Sequence, residues 1–165
     1  MVGGLFFLKK MTLLQLENMD HRRTIRISPH EPFSIFYIHS IYKEPVIEEF
    51  QVEKEAIVLK GVRTKSPAVM EYYRFEDMKE FHPMNQKLGA IYFKWGIGEG
   101  HGLILKDRKI YLSEIGEQGD RIRLRVEPVS LGKYLLYSLS LLPTLSFLRK
   151  QESMSFLPGF PFSRE

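Results

Sequence analysis

Short stretches in which apolar and polar residues alternate recur along most of the chain, and this period of two is what most restricts its fold. Leu14 and Leu16, Ile25 and Ile27, Ile91 and Phe93, and the unbroken Arg121-Ile-Arg-Leu-Arg-Val126 each put apolar side chains on one face of an extended segment. Ala56-Ile-Val-Leu-Lys-Gly-Val62 is apolar on both parities, as a strand covered on both faces would be. Asn18-Met-Asp-His reads as a turn, and Lys106-Asp-Arg-Lys109 reads as a tight turn between Leu103-Ile-Leu105 and Ile110-Tyr-Leu112. Such segments, with little helical period between them, predict an all-β, antiparallel sandwich or small barrel of about eight or nine strands. One segment departs from the pattern. Between Glu71 and His82, Tyr72, Phe75, Met78 and Lys79 fall at helical spacing before Pro83, which predicts a short helix over an open end of the sheet.

The longest alternating stretch, Phe33 to Glu53, predicts a hairpin with ionisable residues on its apolar side. Phe33, Ile35, Tyr37 and His39 share one parity; Val46, Phe50 and Val52 share a face on the second arm, with Glu48 among them. A turn at Tyr42-Lys43-Glu44-Pro45 would oppose Tyr37 to Phe50, Ile35 to Val52 and His39 to Glu48. Opposed Cβ atoms lie about 4.5–5.5 Å apart, within reach of an imidazole–carboxylate contact. A carboxylate there favours the imidazolium and fixes the ring, which suits a general base, a metal ligand or an anion-binding site; a structural or ligand-orienting ion pair is the plainer alternative. Ser40 points to the other face, so it forms no nucleophile pair with His39.

His101 follows Trp95-Gly-Ile-Gly-Glu-Gly100. Folded over the hairpin, that loop would join His101 to His39 and Glu48 in a set suited to zinc or non-haem iron. No H-x-H or H-x-x-x-H spacing accompanies it, and a strand rather than a helix follows the glycines, which argues against a dinucleotide loop. Arg121, Arg123 and Arg125 read as the solvated face of an amphipathic strand, and Trp95 as core beside Ile91 and Phe93. The histidines at 21, 30 and 39 recur every nine residues without sharing a strand position. A chain of 165 residues without cysteine has neither disulfides nor thiolate chemistry, and one domain is expected. The net charge of +4 is spread along the chain rather than gathered on one face, which argues against a nucleic-acid partner.

The run Tyr37-Ile-His-Ser-Ile-Tyr-Lys-Glu-Pro-Val-Ile-Glu-Glu-Phe50 resembles the signature of the DUF1850 family, roughly Y-x-H-S-V-x-x-x-P-V-x-E-x-F. His39, Ser40, Pro45, Val46, Glu48 and Phe50 are its matching positions, and His101 to Leu112 is similar to a later strand–turn–strand of that family. The resemblance spans residues 12–127. It implies a small envelope or periplasmic protein encoded beside TRAP-type transporters of the TAXI class, with a transporter component as partner. The expected function is a non-enzymatic accessory or small-ligand-binding module without a cofactor. His39 and Glu48 would orient a small polar ligand, Ser40 or His101 would stand nearby, and Pro45 and Phe50 would shape the motif. The alternatives are a small metal-dependent hydrolase using His39, Glu48 and His101, and a structural or interaction domain that pairs through a strand edge.

The expected organisation is a degenerate leader over 1–11, the β domain over 12–130 and a non-native or loosely ordered tail over 131–165. In the leader, Lys9 and Lys10 follow the apolar Leu5–Leu8 instead of preceding it, so the export signal is not intact. In the tail, 133–148 are apolar but interrupted by Pro143 and short of the roughly 20 residues that cross a bilayer, which leaves membrane proximity as the expectation. Ser146 to Ser153 and Leu157 to Glu165 are similar to a translated dispersed bacterial repeat.

Overall fold

The computed structural model describes residues 10–27, 32–94, 100–106 and 108–137. The expectations for His30, Trp95, residues 1–9 of the leader and the tail beyond 137 lie outside these residues.

Among the described residues the alternating segments form ten strands in two antiparallel sheets. One sheet has the order β2 (Thr24–Ile27), β1 (Lys10–Asn18), β10 (Arg121–Ser130), β7 (Ala90–Lys94). The other runs β6 (Phe81–Leu88), β5 (Ala56–Arg63), β4 (Pro45–Glu53), β3 (Phe33–Ile38), β8 (Gly102–Leu105), β9 (Arg108–Tyr111). Leu14, Leu16, Ile122 and Leu124 of the first sheet join Phe33, Ile35, Phe50, Ile57 and Leu103 of the second in one buried cluster. The all-β reading therefore holds, and of the sandwich and the small barrel it is the sandwich that the two sheets form. β5 is buried on both parities from Ala56 to Leu59, as its composition predicts.

The charged parity of β10 behaves as the alternation requires. Arg123 faces Glu17 across the β1–β10 ladder and donates to it at 2.6 Å, while Arg121 grips Asp20 at 2.6 Å. Hydrogen bonds from Arg121 hold the Asp20 carboxyl down at about 2. Such exposed pairs contribute little individually, about 0–1 kcal/mol. Residues 131–137 are helical, and the Arg26 guanidinium of β2 lies 4.0 Å from the centre of the Tyr137 ring.

The expected helix over Glu71–His82 is displaced. The helix α1 spans Pro67–Tyr72, with Ser66 as N-cap accepting from the Val69 N–H at 3.4 Å and Pro67 in the first turn. Proline there is already preset for helical φ and lacks a donor that would have no partner. Arg74, at φ 59°, then turns the chain out of the helix. The segment read as its C-terminal half instead enters β6, the strand missing from the expected count. Pro83 sits inside β6, at the sheet's edge, where an absent N–H breaks no ladder on the open side.

Asn18, fully buried at the end of β1, ties two distant turns together. Its Nδ2 donates to the Ile115 carbonyl at 3.1 Å and to Asp120 Oδ2 at 2.7 Å. Its Oδ1 accepts from the backbone N–H groups of Asp20 at 2.9 Å and His21 at 3.0 Å. The chain passes this knot at Gly116, where a Cβ would lie 2.5 Å from Asn18 Nδ2 and 2.8 Å from Asp120 Oδ2.

Candidate functional site

The expected face of the hairpin is right and its register is not. Tyr37 pairs with Val46, Ile35 with Glu48 and Phe33 with Phe50, so the partner of Tyr37 moves from Phe50 to Val46. A slip by an even number of residues leaves every side chain on its expected face. Glu48 thus does lie between Val46 and Phe50 on the inner side, but opposite Ile35 instead of His39. The cause is the connection: β3 stops at Ile38, and six residues, 39–44, make the bend. His39 N–H donates to the Glu44 carbonyl, Lys43 N–H to the His39 carbonyl, and Lys43 adopts φ 57°.

His39 is a turn residue. Its Nδ1 faces the backbone N–H groups of Ile41 and Tyr42, each at 3.4 Å, and its buried ring packs against Tyr42 and Tyr72. Ser40 is exposed in the same bend, and Pro45 opens β4. Phe50 is buried in the core, its ring stacked on Phe33 at 5.4 Å.

Glu48 has different company. Glu48 Oε1 lies within hydrogen-bond reach of the Tyr37 hydroxyl at 3.1 Å and the Tyr73 hydroxyl at 2.8 Å, and the two hydroxyls are hydrogen-bonded to each other at 2.5 Å, so two phenol protons serve three contacts. Tyr37 is the diagonal neighbour of Glu48 on the sheet, a span that a tyrosine side chain covers. Tyr73 arrives from the end of α1, and Val69, Met70 and Tyr73 are inward by ordinary helical spacing. That spacing is the signal by which Tyr73 could have been found; reading Tyr72 as the inward residue hid it.

Above this cluster a cavity of about 240 Å3 opens between the sheets. Ile35, Tyr37 and Glu48 contribute from β3 and β4, Ile91 and Phe93 from β7, and His101 stands beside Gly102 at the start of β8. Tyr37 and His101 are parallel, with ring centres 6.3 Å apart, and His101 Nδ1 is buried without a hydrogen-bond partner. Phe36 and Leu112 add apolar wall, and the exposed Tyr92 and Lys94 of β7 complete the lining. Of the candidates from the sequence, the cavity therefore brings together Glu48 and His101 and leaves out His39 and Ser40. Among the described residues no three His, Asp or Glu side chains converge as metal ligands, so the His39–Glu48–His101 metal set is not assembled.

Burial, then the negative charge of Glu48, pushes the Tyr37 phenol far above the usual tyrosine range, and the same causes raise Tyr73. Both therefore remain protonated beside the carboxylate. Because the folded values exceed the unfolded value of about 10, their stabilisation is complete below that pH and is lost as pH rises past it, where the unfolded chain releases its protons first. Alkaline titration followed by phenolate absorbance should show a late component that coincides with unfolding by circular dichroism. Tyr37→Phe and Tyr73→Phe should each diminish that component.

The fold and this lining define a two-sheet antiparallel β domain with a small side-chain-lined cavity at one end of its core. No protein-family model, curated protein or solved structure matches the chain.

Proposed function

We propose that this protein is a non-enzymatic small-ligand-binding module, an envelope-associated accessory to a TRAP-type solute transporter. The observation that supports binding is the cavity itself. Concave, mostly apolar spaces with a few convergent polar groups are the usual form of small-molecule sites, and about 240 Å3, just below the range for drug-sized molecules, suits a small ligand. Glu48 and His101 are its inner polar groups, held by Tyr37 and Tyr73 and by the β8–β9 ladder, with Tyr92 and Lys94 on the exposed side. The transporter and the envelope location rest on the resemblance of Tyr37–Phe50 to the DUF1850 signature alone. A binding role suits the chemistry better than catalysis, since Glu48 is occupied by the phenols and, among the described residues, no serine, threonine or cysteine lines the cavity.

Native mass spectrometry of the intact protein, together with side-chain NMR during addition of a mixed panel of small amines, acids and neutral polar molecules, tests binding. At least one compound should add one-to-one and move the Tyr37, Phe93 and His101 resonances saturably. A panel in which no compound does so sinks the binding reading.

A further inference from the structure

The ligand's charge can be read from what Glu48 lacks. Its carboxylate sits against two phenols that stay neutral, and no cationic side chain among the described residues forms an ion pair with it. A half-buried carboxylate whose donors are neutral keeps its charge unpaired; Lys94, the cation in the same lining, is exposed and forms no ion pair with it. The space beside it is mostly apolar, lined by Ile35, Ile91 and Phe93 with the Tyr37 ring forming part of the wall, while Tyr92 and Lys94 reach it from the exposed side of β7. An aromatic face next to a carboxylate attracts a cation twice, through the ring quadrupole and through the negative charge. His101 adds a buried ring nitrogen with no partner, which in the neutral ring can accept a further N–H.

We propose that the cavity binds a small primary monoamine with an apolar body, its ammonium seated on Glu48 and its body against Ile91 and Phe93. This rests on the ligand-binding reading above and adds the class of ligand to it. A carboxylate of the same shape is disfavoured because its charge would meet Glu48 in a poorly solvated space. A diamine is disfavoured because its second charge would meet Lys94.

Calorimetric titration of the full chain with phenethylamine, 3-phenylpropionate and 1,4-diaminobutane tests the assignment. Phenethylamine should bind one-to-one, and the other two should bind more weakly by about tenfold or more, the effect of one charge-assisted contact. Glu48→Gln keeps an oxygen to accept from the phenols but removes the charge, and should weaken phenethylamine by about tenfold or more. Should that variant fail to fold, the native protein still decides the matter: phenethylamine must shift the Tyr37, Phe93 and His101 resonances. Tighter binding of 3-phenylpropionate, or shifts confined to other residues, overturns the amine assignment and leaves a binding module standing. Silence from the whole mixed panel overturns the binding reading itself.

Discussion

Replacing Asn18 with alanine should lower the unfolding free energy by about 3 kcal/mol or more, and the melting temperature by roughly 10 °C. The side chain is fully buried, and all of its hydrogen-bonding capacity is used: two bonds donated and two accepted. Truncation leaves the Ile115 carbonyl and the Asp20 and His21 N–H groups short of a partner, and removes a donor from Asp120. An orphaned buried group costs about 1–3 kcal/mol, which falls on the buried bonds to Ile115 and Asp120, while the N–H groups of the exposed Asp20 and His21 can turn to water. Asp120, held below the usual carboxylate range by the Glu117 N–H and by Asn18, ties the effect to pH. Its contribution is present above the ordinary aspartate value of about 3.9 and fades as pH falls through its lower folded value. Asn18→Asp separates the acceptor role from the donor role. It keeps the bonds to the turn but sets two carboxylates together, so it should be the less stable variant at neutral pH and recover relative to wild type on acidification to about pH 4. Equal stability of Asn18→Ala and wild type in urea would show that the knot contributes nothing.

The same residue shows how much can be read from a chain like this. Asn18-Met-Asp-His was legible as a turn because such residues compete with the ladder for backbone hydrogen bonds. Its tie to Ile115 and Asp120, about a hundred positions away, leaves no trace in local spacing. Strand faces were legible outside β6, since inward and outward positions follow from a period of two. They were right for β1, β5 and β10, and for Glu48 on the inner side of β4. Register was not. It depends on the bend, and the 39–44 connection has no Asn-Gly or Asp-Gly pair to mark it; Lys43 takes the left-handed conformation without a sequence signal. The imidazole of His39, expected to face a carboxylate, faces the bend's own N–H groups instead.

The cavity was half legible for a related reason. Glu48 and His101 stood out as ionisable residues on or near apolar strands. Ile91 and Phe93 were read as inward-facing without any indication that they faced empty space. Tyr73 was hidden because the helix begins at Pro67 and not at Glu71, so the expected helical phase selected Tyr72. β6 was misread because its half-buried edge position gives a weak alternation, from Phe81 through His82 and Met84 to Leu88. The aromatic residues just upstream then supplied a competing helical period.

Gly102→Ala should cost about 2–3 kcal/mol and weaken ligand binding in the same variant. Gly102 opens β8 and pairs with Tyr111 of β9. A Cβ there would overlap the Ile110 carbonyl oxygen and come 2.9 Å from the Phe36 ring. Phe36 can turn, but the carbonyl belongs to the neighbouring strand and can move only with it. Four-residue strands at the sheet edge resist least, so the expected outcome is separation of β9 from β8, not a rearranged core. The Leu112 N–H bond to the His101 carbonyl, 3.0 Å long, stretches with it, and His101 loses its fixed place beside Tyr37. Hydrogen exchange locates the damage: amides of β8 and β9 should lose protection before those of β4 and β5. Loss of protection spread evenly over both sheets would mean that the edge strands and the core unfold as one unit, and the cavity wall would then have no local stability of its own.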